Sequence, residues 1–222
     1  MAEEEGRMKD LYIIGAGGCG RDTAWLVERI NNILPTWRLK GFVDDNDSIV
    51  NTEIDGYKVL GDISFLNSLS DIWAVCAVAN VKERKKIVNK IRNAKFATLI
   101  DPSVVMSNRI SIGEGSIVFA NTVISLDINI GKHVIVGLES TIGHDVVVQD
   151  YVSIYPGVHL SGNVTVNQLT EIGTGANIIQ GINLGSESVI GMGAAVLKDV
   201  PDCCTMVGNP ANEVFRHKKW NI

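Results

Sequence analysis

Residues 112–148 read IGEGSIVFANTVISLDINIGKHVIVGLESTIGHDVVV, and an aliphatic residue returns at every sixth place. The series continues without a slip as Ile112, Val118, Ile124, Ile130, Val136, Ile142, Val148, Ile154, Leu160, Val166, Ile172, Ile178, Leu184, Ile190 and Val196. In a chain that is 45% hydrophobic, chance does not hold one register that long. Glycine often follows the aliphatic, as at Gly113, Gly131, Gly137, Gly143, Gly173, Gly185 and Gly191. Two places before it sits a small or β-branched residue, such as Ser116, Thr122, Ser140, Val152 or Ala176. A period of six fits neither an amphipathic helix nor a half-buried strand. It predicts a parallel β-helix, in which each short strand stacks on the one a coil below and the repeated aliphatic fills the axis.

Upstream the pattern changes. The apolar run Leu11-Tyr12-Ile13-Ile14 stops at Gly15-Ala16-Gly17-Gly18-Cys19-Gly20, and a helical spacing of Ala24, Leu26, Val27 and Ile30 follows. Strand, glycine-rich turn and helix in that order place GxGxxG in the context where backbone N–H groups meet an anion. Many α/β domains use such a turn without binding a dinucleotide. A second strand over 39–43 ends in Asp44-Asp45, an acidic pair able to accept hydrogen bonds from a ribose or a base edge. Further elements are expected as a short helix through Phe65-Leu66, a strand over 72–78, a basic helix over 81–91 with a solvated face, and a strand over 96–100. Alternation of strands and helices predicts a small Rossmann-like α/β domain with a short parallel sheet over 10–98. That is about half of a dinucleotide fold, which argues against an NAD oxidoreductase. Residues 1–9 read as a disordered tail. The β-helix and a basic, Trp-tipped end occupy 99–222.

The bulk figures narrow the function. A net charge of -5 gives no basic field for nucleic acid. No apolar run is long enough to span a membrane, and residues 1–7 hold no secretory h-region. The four cysteines, Cys19, Cys76, Cys203 and Cys204, match no zinc spacing and no disulfide framework, so a reducing cytoplasm is the expected location.

Within each hexad the two residues after the glycine fall at a corner and point outward. His144 and Asp145 take those places after Ile142-Gly143. An imidazole beside a carboxylate on the outside of a rigid prism is suited to general-base work, although a plain surface histidine has the same phase. His133, His144 and His159 occupy different phases of a three-hexad coil, so they do not converge as a three-histidine zinc site within one chain. No metal is expected. Zinc lyase chemistry and a non-catalytic trimeric scaffold are the readings from other classes.

The combination of GAGGCGRD (15–22), FVDD (42–45), AVAN (77–80) with Arg84 after it, GHD (143–145), SGNV (161–164) and KDVP…VGNPA (198–211) resembles the NeuD/PglD-like family of sugar O- and N-acetyltransferases. The resemblance covers nearly the whole chain, from Leu11 to about Ala211. It implies a left-handed β-helix, a homotrimer with sites between neighbouring prisms, and acetyl-CoA as co-substrate. It also implies acetylation of a UDP- or dTDP-linked 4-amino sugar for surface glycans, with O-acetylation of sialic acid or another sugar hydroxyl as the alternative. Carried over residue by residue, the base falls on His144 and its partner acid on Asp145. Acetyl-CoA contacts fall on Ser153, Gly162, Thr174 and Met192, and nucleotide-sugar contacts on Gly17, Gly18, Cys19, Asp44, Asp45 and Ala79. Cys19 and Ser153 stand where several members carry histidine, and Asp145 stands where some carry glutamate.

Overall fold

The computed structural model describes residues 8–220 and 222. The strand β1 (Lys9–Ile14) takes in Lys9, which the disordered tail expected over 1–9 had included; residues 1–7 lie outside the described residues. After β1 come α1 (Gly18–Ile33), β2 (Trp37–Val43), a small hairpin of β3 (Glu53–Ile54) and β4 (Tyr57–Lys58), α2 (Ile63–Asn67), β5 (Ile72–Cys76), α3 (Val81–Lys90) and β6 (Ala94–Phe96). The expected strand over 96–100 is in fact two elements. Ala94–Phe96 closes the first sheet, and Leu99–Ile100 opens the next. Asp62 caps α2 by accepting from the Phe65 N–H at 2.9 Å, and Asn80 caps α3 by accepting from the Glu83 N–H at 3.0 Å.

The first sheet is parallel with strand order β2-β1-β5-β6. The chain leaves β1 toward one side and later crosses to the other. The carboxyl ends of β1 and β5 therefore border a switch point, where open α/β sheets take their ligands. The glycine turn and residues 77–80 lie there. Gly20 is dictated by packing: a Cβ on it would stand 2.0 Å from the Gly15 carbonyl oxygen.

From Leu99 onward each strand pairs with one eighteen residues along, as in Ile117 with Ile135, Val123 with Thr141 and Asn129 with Val147. Three parallel sheets form the faces of a prism. The first face holds the strands at 117, 135, 153, 171 and 189, the second those at 123, 141, 159, 177 and 195, and the third those at 129, 147, 165 and 183. The hexad aliphatics fill the axis; Val136, Ile154, Val166 and Ile172 are at most 1% exposed. The small residues two places before them point inward as well, and the Ser116, Thr122 and Thr170 hydroxyls donate to carbonyls of the coil. Each coil turns its corners on residues in the left-handed region, among them Asp127, Asp145 and Asn163 on one edge and His133, Tyr151 and Leu169 on another. Past Val196 the stack gains one more first-face strand, Cys204–Val207, and an antiparallel edge strand, Asn212–Arg216.

The small domain sits on the first face. The outward places of that face are apolar low in the stack, and Leu99, Ile117 and Ile135 join one buried cluster with Leu11, Ala24, Leu26 and Val27. Full burial of a side chain such as Ile117 contributes about 2–3 kcal/mol. The basic helix α3 does not simply present a solvated face, because Arg84 turns inward and is 0% exposed. Among the described residues no helix is long and apolar enough to cross a membrane.

Candidate functional site

Two separate places on the chain bring candidate functional groups together. The first is the edge between the second and third faces. The corner after Thr141–Ile142 is Gly143-His144-Asp145, with Asp145 at φ +59°. This left-handed turn, which aspartate tolerates better than most residues, swings the carboxylate back onto its neighbour. His144 Nδ1 lies 2.8 Å from Asp145 Oδ2. An ionised carboxylate only accepts, so in a neutral ring paired with it Nδ1 carries the hydrogen and Nε2 the lone pair. Both side chains are more than half exposed. The ring lies over the next coil at Gly162, where a Cβ would stand 2.5 Å from Cε1 and 2.6 Å from Nε2. Any larger residue at 162 would push the imidazole off its seat. Thus three residues singled out in the sequence, His144, Asp145 and Gly162, do come together.

The second place is a cleft of about 310 Å³ between the small domain and the first face. Its walls are Gly18, Cys19, Asp22 and Ala79 on one side and Phe119, Ile135, Gly137, Leu138, Ser153, Ile154, Tyr155 and Pro156 on the other. Gly17 is the N-cap of α1, and no side chain caps that helix. Its first N–H groups are therefore free to meet an anion beside the cleft. Burial pushes the Cys19 thiol up to about 11 and the Tyr155 phenol to about 12, so both stay neutral at physiological pH. Ser153 lines the wall at 2% exposure and donates its only O–H to the Ala79 carbonyl at 2.6 Å, leaving it as an acceptor alone.

The remaining expected contacts are scattered. Asp44 lies at the glycine turn, where its carboxylate accepts from the Ala16 N–H at 2.9 Å and the Asn46 N–H at 3.0 Å. Asp45 points elsewhere, into a polar cleft of about 630 Å³ with Asp47, Asp62, Asn67, Lys90 and Arg92. Thr174 and Met192 stand above the domain cleft on the edge between the first and second faces, and Met192 is 79% exposed. That edge continues Leu138 and Pro156 of the cleft wall upward.

Sequence reasoning missed Tyr155, Glu171 and the role of Arg84. Glu171 accepts from the Tyr155 hydroxyl at 3.3 Å and the Asn80 side chain at 3.4 Å, and burial raises its pKa. It thereby ties the prism to the start of α3. One signal was available for this seam: the apolar outward residues of the first face. Elsewhere, Glu187, Cys203 and His217 bring a carboxylate, a thiol and an imidazole within 4.8 Å of one another. Yet the two ring nitrogens of His217 each lie 2.8 Å from a carbonyl oxygen, of Lys218 and of Glu187, so both are already faced by protein oxygens.

The comparisons with known proteins agree with this layout. Residues 10–91 match the model of the PglD N-terminal domain. The UDP-N-acetylbacillosamine N-acetyltransferase of Bacillus subtilis (strain 168) is 33% identical over 119 residues, a match spanning 51% of this chain and 52% of that protein. The acetyltransferase domain of PglB from Neisseria gonorrhoeae FA1090, solved in complex with acetyl coenzyme A, superposes with a TM-score of 0.85. It is 33% identical, and the match covers 94% of this chain and all of that one. PerB from Caulobacter crescentus, solved with CoA and GDP-perosamine, gives a TM-score of 0.82 at 27% identity over 94% of this chain and 99% of that one. The parallel prism described above is thus the left-handed β-helix of acetyltransferases.

Proposed function

Since the chain belongs to the PglD-like family of acetyl-CoA-dependent sugar acetyltransferases, we propose that it acetylates the amine of a nucleotide-linked amino sugar with His144 as general base. The observation that carries this is the His144–Asp145 pair, held at 2.8 Å with the ring seated against Gly162 of the next coil. His144 Nε2 takes the proton of the acceptor amine as the nitrogen attacks the thioester carbonyl. The C–N bond forms, the C–S bond breaks, and the proton leaves with the thiolate of CoA or to water. Asp145 keeps Nδ1 protonated and steadies the imidazolium that forms. Holding both substrates side by side supplies the rest, with no covalent enzyme intermediate.

The base and the cleft do not share an edge of the prism. The cleft opens on the first face and its edge with the second, whereas His144 stands on the edge opposite the first face. A site containing both is built when the His144 edge of one copy meets the cleft of another, as a homotrimer of prisms provides. Exposed Val123, Leu126 and Ile179 lie on the second face and on the His144 edge, where such a contact would cover them. In that assembly the glycine turn, with Gly17, Gly18, Cys19, Asp44 and Ala79, takes the nucleotide sugar. Acetyl-CoA runs along the edge of Thr174 and Met192 toward Ser153, with the partner's Gly162 at its thioester end. Asp45 enters only if the nucleotide extends into the polar cleft. The fit of a thioester is supported by the uncharged, mainly apolar wall of Ile135, Leu138, Ile154 and Pro156.

The test is thiol release from acetyl-CoA with a panel of UDP-, dTDP- and GDP-linked 4-amino sugars and with free sialic acid. Turnover with one class of amino-sugar nucleotide is expected. Turnover with sialic acid alone would replace the amine acceptor by a hydroxyl.

A further inference from the structure

Arg84 is the largest fully buried side chain of the described residues, and its hydrogen bonds run to carbonyl and hydroxyl oxygens, none to a carboxylate. Burial lowers its pKa, with the Cys76 and Cys19 thiols and Glu171 acting weakly the other way, but a guanidinium keeps its charge in proteins. The charge is balanced by oxygen dipoles drawn from three stretches of chain. Nε donates to the His133 carbonyl at 2.9 Å. Nη1 donates to the carbonyls of Val78 at 2.6 Å and Ala79 at 2.9 Å. Nη2 donates to the carbonyls of Tyr151 and Val152 and to the Ser153 hydroxyl, each at 3.0 Å. The residue starts on α3 of the small domain, reaches back to the mouth of β5 and crosses to two successive coils of the prism.

Two of those acceptors belong to cleft walls. Ala79 is on the small-domain side and Ser153 on the prism side, and the Ser153 hydroxyl donates to the Ala79 carbonyl at 2.6 Å. The three groups close a ring: Arg84 donates to both, and Ser153 donates to Ala79. A ring of this kind fixes the distance between the walls, because moving either wall leaves a buried donor or acceptor unpaired. The planar fork matters as much as the charge, since a lysine ammonium has three donors and cannot reach all these oxygens at once.

We infer that Arg84 is a positioning residue of the transfer reaction, setting the width of the substrate cleft by clamping Ala79 to Ser153 across the domain seam. This rests on the proposal that the two substrates meet at the cleft, the nucleotide sugar on the Ala79 side and acetyl-CoA on the Ser153 side. Arg84 touches no substrate. It acts through the two walls, so its loss misplaces the nucleotide sugar relative to the base without touching the base itself. A misplacement of about 1 Å lowers turnover on the order of a hundred-fold.

The experiment compares Arg84→Lys and Arg84→Ala with the wild-type protein by steady-state kinetics, adding guanidinium chloride at sub-denaturing concentration and, separately, methylammonium chloride. Wild-type turnover in the same assay is the control for the acetyltransferase function; its absence would sink that proposal and not the clamp alone. The expected result has three parts. Arg84→Lys keeps its circular dichroism and its oligomeric mass but loses on the order of a hundred-fold in kcat/KM, with a raised KM for the nucleotide sugar. Guanidinium restores at least a tenfold part of the Arg84→Ala loss, and methylammonium does not. The inference is overturned if Arg84→Lys is folded with wild-type kcat/KM, or if guanidinium leaves a folded Arg84→Ala variant unchanged. Should Arg84→Ala fail to fold, the KM of Arg84→Lys decides by itself: a value raised at least tenfold supports the clamp, and a wild-type value overturns it.

Discussion

Two corners of the prism share a backbone and not a fate. Gly131-Lys132-His133 and Gly143-His144-Asp145 both follow an axial isoleucine and both turn on a left-handed third residue, His133 at φ +54° and Asp145 at φ +59°. The first corner lies under the small domain. The His133 ring stacks on Tyr151 at 5.1 Å, meets the Phe96 ring edge-on at 4.6 Å and is 4% exposed. Burial, aided by the Arg84 charge, pulls its pKa down to about 4. The second corner is uncovered in the single chain, and there the same residue type keeps a free nitrogen and an adjacent acid. What covers a corner, and not which residue turns it, separates the packing histidine from the proposed base.

That contrast can be broken in three ways. The largest effect belongs to the uncovered corner: His144→Ala should lower kcat by about 10²–10⁴-fold, the usual worth of a general base, with oligomeric mass and circular dichroism unchanged. Near wild-type turnover would remove His144 from the chemistry. Next comes the covered corner. His133 is neutral when folded and titrates near 6.5 when unfolded, so the unfolded chain binds more protons between those values. Its contribution is therefore present above pH 6.5 and lost as pH falls toward 4, on the order of 2–3 kcal/mol. Melting temperature followed from pH 7 to pH 4 should fall more steeply in the wild type than in His133→Asn, which keeps a residue tolerant of the left-handed turn; parallel curves would contradict this. The smallest effect is at Asp145. Asp145→Asn preserves the turn and an acceptor for Nδ1 but removes the exposed charge that steadies the imidazolium, so kcat should drop only about five-fold, the worth of one exposed ion pair. A loss as large as that of His144→Ala would mean that the carboxylate does more than this.

Much of this architecture is legible in the sequence because it is periodic. The hexad aliphatics, the inward small residues and the outward phase of His144 follow from counting, since every coil repeats the same environment. The pairing of His144 with Asp145 is half legible: adjacency is visible, but the bond depends on a left-handed φ at Asp145. The seam is where counting stops. Arg84 looks like one more basic residue in VKERKKIVNKI, and only the folded α3 shows that its place in the first turn faces the prism. Asp45 looks equivalent to Asp44, yet successive residues at a strand end point apart: Asp44 binds the glycine turn, and Asp45 enters the polar cleft. Tyr155 and Glu171 lie one coil apart on the prism, and neither carries a motif. The small domain's landing place was written in the apolar outward residues Leu99, Ile117 and Ile135, a signal that stands out only once the three faces are told apart.

The central claim is that one copy lends the base and another lends the cleft. It is tested by mixing two inactive variants, His144→Ala and Gly18→Phe. The latter fills the cleft from a position where a Cβ meets nothing within 4 Å. After co-assembly at equal amounts, half of the bases and half of the clefts are intact, so about a quarter of the shared sites in a closed ring combine the two. Recovery of about a quarter of wild-type turnover from two variants that are each silent is the predicted result. Silence of the mixture, with mixed oligomers demonstrated by mass, would contradict the account.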